Sequence, residues 1–310
     1  MNAYDVYLYG MILITNSYLL KDSFPEPDTY AEIAQAHRFP GGETGSCARV
    51  LASLGAKIKM DGNHMGIYTY DRIKAFFEPI DVDISRLTYD KDYDGLEDMV
   101  FIDRNTRTCF GTFARYFASG EKRWNMPCED DIKAARVVGL DPFFGEASEL
   151  VAQYCRKHGK KYVTIDCKYD SLLHGYSEVN VVSNEFLKSN YPHEDIEALF
   201  EKYTQASEGL VIFTFGARDV LYGRKGENIR HFTPYTVEVV STLGAGDSFK
   251  AGTVHALLQG MSDAEIVRFA SATAAVACCG FPLWLNPPTL EKINALMNQC
   301  VDIFKYFNLI

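Results

Sequence analysis

The sequence predicts an α/β fold, a doubly wound and mostly parallel sheet with a small β lid. Three observations carry this. From about residue 130, short apolar β-rich runs alternate regularly with helical segments, the signature of successive βα units. Two glycine-rich stretches, Gly41-Gly42-Glu43-Thr44-Gly45-Ser46 and Gly244-Ala245-Gly246-Asp247, each open a helix. Residues 99–113 read instead as two strands around a turn, Met99–Asp103 and Thr108–Phe113 flanking Arg104-Asn105-Thr106-Arg107.

Taken in order, Val6 to Ile14 is an apolar run broken by Gly10 and reads as the first strand. Residues 15–40 are polar, carry Pro25, Pro27 and Pro40, and read as irregular. The helix opened by Gly41 and Gly42 carries Ala48, Leu51 and Leu54 and is stopped by Gly55. Its neutral, open N-terminus suits a hydroxylated ligand; close helix–sheet packing is the alternative. A strand over 57–60 and a helix over 69–78 follow, then the hairpin, whose segment 99–117 is placed as a lid or an edge. Strands are predicted at 136–140, 162–166, 179–183 and 210–214. Asp141, Asp166, Asn184 and Thr214 stand at their carboxyl ends, where open α/β sheets place their sites. Any one of them serves as readily as a turn residue; four together predict a shared cleft. Ser262-Asp263-Ala264-Glu265 is a capping box opening an alanine-rich helix to Cys279. No repeat or linker divides the chain, so 1–310 reads as one unit with the lid inserted at 99–117 and further strand segments near 11–40.

The chemistry is concentrated at 237–249. Val237 to Val240 reads as a buried strand end, and apolar Ala251, Val254, Leu257 and Leu258 recur at helical spacing up to Gly260. Small residues at such a turn let backbone N–H groups converge where the helix dipole is positive, which makes an anion site. An acid there repels a bound phosphate unless it takes a proton from a third group. Phosphoryl transfer satisfies both: Gly244, Ala245 and Gly246 receive the developing charge, and Asp247 accepts the proton of an attacking hydroxyl. An ordinary βα turn with an N-terminal Asp is the alternative.

Composition excludes other classes. With a net charge of −10 over 310 residues, nucleic acid and anionic membrane surfaces are disfavoured partners. No run reaches the ~18 apolar residues that span a bilayer. The eight cysteines form no CxxC pair and read as buried, reduced thiols, which points to the cytoplasm and against zinc. A nicotinamide dehydrogenase is disfavoured because Phe249 follows Gly244-Ala245-Gly246 where a third small residue belongs, and the motif lies far too late in the chain for a first βα turn.

With these residues assembled, the chain resembles the ribokinase-like (PfkB) carbohydrate and nucleoside kinases from Gly10 to about Pro288. Gly41-Gly42, Ala48, Leu51 and Leu54-Gly55 resemble the family's substrate loop and helix; Thr242 and Gly244–Asp247 resemble its ATP-side motif; Val82–Ser85, Arg107-Thr108 and Thr214-x-Gly216 resemble the lid entry, the lid strand and the nucleotide strand end. The resemblance implies a three-layer fold and ATP-dependent phosphorylation of a sugar-like hydroxyl with Mg²⁺. It implies Asp247 as general base beside the Gly244–Gly246 turn, with Asn184, Thr214, Gly216, Thr242 and Ser271 around ATP. Gly41, Gly42, Thr15, Ser46, Asp141 and Arg107 take the acceptor positions, and Asp166 and Glu185 those nearest the metal. It further implies a homodimer through the lid. Four departures qualify it. Ser241 replaces an Asp tied to a monovalent cation, so that cation is not expected; Ser46 replaces an Asn; Thr15 replaces an Asp; and Leu187 stands where Glu follows Asn184. A nucleoside kinase and a non-catalytic nucleotide or sugar sensor on the same fold are the alternatives. Arg104, Arg107 and Arg115 suit an anionic substituent, with a solvated hairpin face as the simpler account of at least two.

Overall fold

The computed structural model describes residues 3–103 and 106–307, with side chains described as far as residue 299. Arg104, Asn105 and the Cys300 side chain, on which expectations fell, lie outside the described residues.

Thirteen strands are described: β1 (Tyr4–Gly10), β2 (Leu13–Leu20), β3 (Ile33–Gly41), β4 (Ile58–Gly62), β5 (Val82–Asp83), β6 (Glu97–Ile102), β7 (Arg107–Gly111), β8 (Ala135–Leu140), β9 (Lys161–Ile165), β10 (Val179–Ser183), β11 (Leu210–Phe215), β12 (Arg218–Gly223) and β13 (Arg230–Phe232). The helices are α1 (Gly42–Ser53), α2 (Tyr70–Phe77), α3 (Phe113–Ala118), α4 (Glu129–Ala134), α5 (Glu146–Lys157), α6 (Leu172–Tyr176), α7 (Asn184–Asn190), α8 (Ile196–Ala206), α9 (Ala245–Leu258), α10 (Asp263–Cys278) and α11 (Leu290–Phe307).

The main sheet runs β13-β12-β11-β10-β9-β8-β1-β4-β5. It is parallel from β11 to β5, and β12 and β13 close one edge antiparallel. Alternation along β1 shows why both faces are covered. Val6 and Leu8 pack into a core with α1, α9 and α10, whereas Tyr7 and Tyr9 pack on the other face with α5. All four are fully buried, so the sheet lies between two helical layers. Chain order reverses between β1 and β8, and at such a switch point the loops diverge and leave a crevice at the carboxyl ends.

A second, four-stranded sheet runs β3-β2-β6-β7. Its β2 and β3 occupy much of the stretch expected to be irregular. The prolines mislead there for a local reason: Pro25 and Pro27 lie in the connecting loop, and Pro40 lies near the end of β3, an edge strand, where a missing N–H is tolerated. The apolar run from Val6 is correspondingly two strands, because the chain leaves the main sheet after Gly10 and enters the small sheet at Leu13. Val100 and Ile102 face inward and are buried. Met99 and Phe110 are about half exposed on the other side, where Phe24 packs on Phe101 and Phe110.

Val237 to Val240 do not form the expected buried strand. Val239 and Val240 are exposed, and the segment is held by the end of α10, where the Cys278 carbonyl accepts from Val240 N–H (2.8 Å) and Ser241 N–H (3.2 Å). The capping box forms as expected, Ser262 bonding reciprocally with Glu265. Seven described cysteines are free thiols; Cys109 and Cys279 are exposed rather than buried.

Candidate active site

The turn into α9 is built by Gly244, whose φ of 79° is in the left-handed region that favours glycine. A side chain here would also meet Leu283, with an added Cβ 2.7 Å from its Cδ2. Ala245 N–H bends back to the Thr242 carbonyl at 3.2 Å. The amides of Gly246 and Asp247 are among the first-turn groups that an α-helix leaves without an intrahelical acceptor. Gly246 is exposed, with open space where a side chain would stand, so this end of the helix is approachable.

Asp247 lies half-buried in that first turn. Burial pushes its carboxyl up to about 7; the Lys250 ammonium pulls it down, Asp141 pushes it up, and the Ser46 hydroxyl and Arg107 favour the ionised form. Ser46 comes from α1, so the two glycine-rich helix starts meet across one space. Glu43, in the first turn of α1, is pushed to about 8 by burial and then by the negative charge of Asp141 and Asp247. At neutral pH Glu43 is therefore mostly a neutral acid beside a carboxyl balanced between its two forms.

Beneath them is a fully buried ion pair, Lys250 with Asp141. Asp141 Oδ1 accepts from Lys250 Nζ. Its Oδ2 accepts from Met11 N–H (2.9 Å) and the Thr44 hydroxyl (2.8 Å). Asp141 follows β8 at the switch point, and a side chain on neighbouring Gly10 would collide with it. Asp141, expected to face an acceptor, is fully buried, and both of its oxygens are engaged within the protein. Lys250 was missed. The signal available was a single Lys among apolar residues in α9, three positions after Asp247 and so on the same helix face.

The other expected residues divide. Thr15 lies against Gly41, because β2 and β3 pair there and an added Cβ on Gly41 would collide with its hydroxyl. Thr15 also pairs across the sheet with Asp98, a residue that sequence reasoning passed over. Burial raises the Asp98 carboxyl to about 6 while the Thr15 hydroxyl lowers it, and its Oδ1 is buried without a partner. Gly42 has φ 76° and packs so closely on the Met11 backbone that an added Cβ would lie 2.6 Å from its carbonyl. Arg107 reaches from β7 to the Thr242 carbonyl (3.3 Å) and lies 3.8 Å from Glu185. Arg115 is exposed. Trp284 packs against Phe39, Phe76 and Phe77.

Asp166 and Asn184 directly follow β9 and β10, and Thr214 lies near the end of β11, so the three stand side by side at the carboxyl ends of neighbouring strands. Asp166, expected near the metal, has both carboxylate oxygens engaged. Its Oδ1 accepts from Ser183 N–H (2.7 Å) and its Oδ2 from the Ser183 hydroxyl (3.1 Å), so it braces the start of α7. Burial raises it to about 6 against those bonds. Glu185 is mostly exposed, and Asn184 Oδ1 is 3.4 Å from an Arg218 nitrogen. Among the described residues no three potential metal ligands cluster. Ser271, on α10, keeps a buried hydroxyl without a partner, and Gly216 (φ 68°) has open space around it; both suit a bound nucleotide. Ser241 is buried and accepts from Leu243 N–H at 3.1 Å, stabilising the turn.

Comparison with known proteins places the fold and the family. A nucleoside kinase of Methanothermobacter thermautotrophicus is 28% identical over 276 residues, covering 82% of this chain and 83% of that protein. A ribokinase of Arabidopsis thaliana, solved with ribose and ATP, superposes with a TM-score of 0.76 at 16% identity, covering 95% of this chain and 99% of the other. An E. coli structure described as a ribokinase II in complex with ATP and Mg²⁺ also has a TM-score of 0.76, at 15% identity, with 95% and 99% covered. The model of the family described as "pfkB family carbohydrate kinase" matches residues 5–281. With that match over most of its length, the chain belongs to the pfkB family of carbohydrate kinases, which transfer a phosphoryl group from ATP to a hydroxyl of a sugar-like small molecule.

Proposed function

We propose that Asp247 is the general base of this phosphoryl transfer and that the amides at the start of α9 receive the charge of the transferred group. One observation carries the reading: a half-buried carboxyl, poised near pH 7, stands in the first turn of a helix whose end is open. A base with its pKa near the working pH combines sufficient ionised fraction with a strong pull on the proton. Bound MgATP supplies the γ-phosphoryl group. The acceptor hydroxyl is placed between the two helix starts, where Ser46 steers the Asp247 carboxylate and Gly41 and Gly42 keep the loop free of side chains. Arg107 brings positive charge from the small sheet to the same space. Ser271, Thr214, Gly216 and Asn184 line the side assigned to the nucleotide, and Glu185 is the carboxylate left to approach its metal. Phosphoryl transfer needs mainly such positioning and charge stabilisation.

The four-stranded sheet serves as a lid, and its outer face, with Met99, Phe110 and Phe24, is covered by a second copy of the chain. No described helix is long and apolar enough to cross a membrane. Cysteine usage without CxxC pairs supports a cytoplasmic setting.

The test is an ADP-release screen across sugars, sugar acids, glycated amines and nucleosides. One responsive acceptor is expected, with Asp247→Asn abolishing its turnover while ATP binding persists. If ATP binds and no acceptor drives ADP release, a sensor role replaces the enzymatic one. A response confined to nucleosides makes the enzyme a nucleoside kinase.

A further inference from the structure

The Lys250–Asp141 pair is not needed to explain the fold. Two fully buried, oppositely charged side chains each lose hydration, and a well-packed apolar pair of similar volume is often no less stable. Its connections are more specific than a stability role requires. Asp141 gathers three donors from three places: Lys250 on α9, Thr44 on α1, and the Met11 amide between β1 and β2. Its own N–H donates to Tyr9 in β1 at 2.9 Å. Thr44 N–H also donates to the Met11 carbonyl, at 3.0 Å. The helix bearing Asp247 and the loop bearing Gly41 and Gly42 are thus fixed to one carboxylate at the switch point.

Resting on the assignment of Asp247 as base, we propose that Lys250 and Asp141 are its positioning residues: they lock α9 to the Gly41–Thr44 loop, and the Lys250 ammonium offsets the negative charge that Asp141 brings to Asp247. The charged and titratable groups facing Asp247 are Lys250 from its own helix, Asp141 from the end of β8, Glu43 and Cys47 from α1, and Arg107 from β7. Burial holds the Cys47 thiol up at about 12, so it stays uncharged. Burial opposes the charge on Lys250, but the negative charges of Asp141 and Asp247 together outweigh it, and with Asp141 removed Asp247 remains as the counter-charge of the ammonium. Arg107 is partly exposed, and water screens its field. That leaves Lys250 as the buried cation acting on Asp247. Removing either partner therefore shifts the Asp247 proton equilibrium, and the two removals act in opposite directions.

The experiment is ¹³C NMR titration of protein carrying ¹³Cγ-labelled aspartate, with Asp247→Asn used to assign the resonance; it needs neither ATP nor an acceptor. In Lys250→Met the Asp247 midpoint is expected to rise by one unit or more, a tenfold change in the proton equilibrium. In Asp141→Asn it is expected to fall. Shifts of the same sign, or no shift in either variant, overturn the proposal. Should a single variant fail to fold, Lys250→Met/Asp141→Asn, which leaves no lone buried charge, decides: an upward shift supports the proposal, because the ammonium is the stronger influence, and an unchanged or lowered midpoint overturns it. The base assignment is judged separately. Asp247→Asn that still turns over sinks that assignment whatever the titrations show. An inactive Asp247→Asn with unmoved titrations sinks only the role of the pair.

Discussion

The Arg107 guanidinium donates to the Thr242 carbonyl at 3.3 Å, joining the small sheet to the turn that opens α9. The contact spans 135 positions of sequence, and the same carbonyl accepts from Ala245 N–H. Arg107 thus grips the turn whose amides we propose to receive the transferred group, and its charge favours ionised Asp247.

Arg107→Met is accordingly expected to lower kcat/KM by about 10- to 100-fold, the loss of one positioned, charged donor. The side chain is partly exposed, so stability should change by no more than about 0.5 kcal/mol. Arg107→Lys should restore only part of the activity, because a point charge does not reproduce the planar fork. Steady-state kinetics with thermal melts check this. A large loss of Tm with unchanged kinetics would assign Arg107 to the fold alone.

Asp247→Asn separates activity from stability. Turnover should fall by about 10²- to 10⁴-fold, the range for losing a general base. In the unmutated enzyme kcat/KM should fall tenfold per unit as pH drops below about 7, since the base must be ionised. The stability effect has the opposite sense. The folded-state carboxyl titrates above the ordinary 3.8, so folding favours its protonated form. That contribution is fully present below about pH 4 and is lost as pH rises through 7. The neutral Asn should therefore raise stability more at pH 8 than at pH 5, by about 1–3 kcal/mol at the upper pH. Denaturation curves at the two pH values are the check; an Asn variant less stable at pH 8 than at pH 5, relative to the parent, contradicts the raised carboxyl.

What the sequence discloses follows from where its constraints are written. The Gly244–Asp247 turn is legible because amides, helix start and acid must be contiguous. The parallel strands β8 to β11 are legible because burial on both faces demands apolar runs. Strands β2 and β3 are not, because one sheet edge is exposed and their connection carries prolines. The Lys250–Asp141 pair is hidden for a different reason. Asp141 is visible as a strand-end acid, but its partner lies 109 positions away, and local spacing does not say which cation will reach it. The same holds for Asp98, whose position opposite Thr15 is set by the pairing of β2 with β6, strands far apart in sequence but adjacent in space.

Gly41→Ala tests the proximity of the loop to the small sheet. Its backbone is extended, so no left-handed strain arises, but the new methyl collides with the Thr15 hydroxyl and lies 3.0 Å from Thr15 Cβ. Overpacking at such a site costs about 1–3 kcal/mol. Acceptor KM should rise while the Kd for ATP, measured by calorimetry, stays within about twofold, since the loop is assigned to the acceptor. Thr15→Ala in the Gly41→Ala background should recover part of the lost stability. Additive losses in the double variant would mean that the two residues do not press on one another.

Gly244→Ala perturbs the turn itself in two ways. A φ of 79° costs a residue with a side chain about 1–2 kcal/mol, and the methyl presses on Leu283, 2.7 Å from its Cδ2. If only stability were at stake, kcat at a temperature well below the melt would be unchanged. The amides of Gly246 and Asp247 follow directly from this turn, and a shift of about 1 Å in a positioned group can cost about 100-fold in rate. The expected result is therefore a kcat reduced by about 10- to 100-fold at 20 °C in fully folded protein, with a melting temperature lowered by a few degrees. Leu283→Ala in the same background relieves the collision but leaves the φ strain. Recovery of Tm without recovery of kcat would show that the backbone of the turn, rather than the packing behind it, sets the rate.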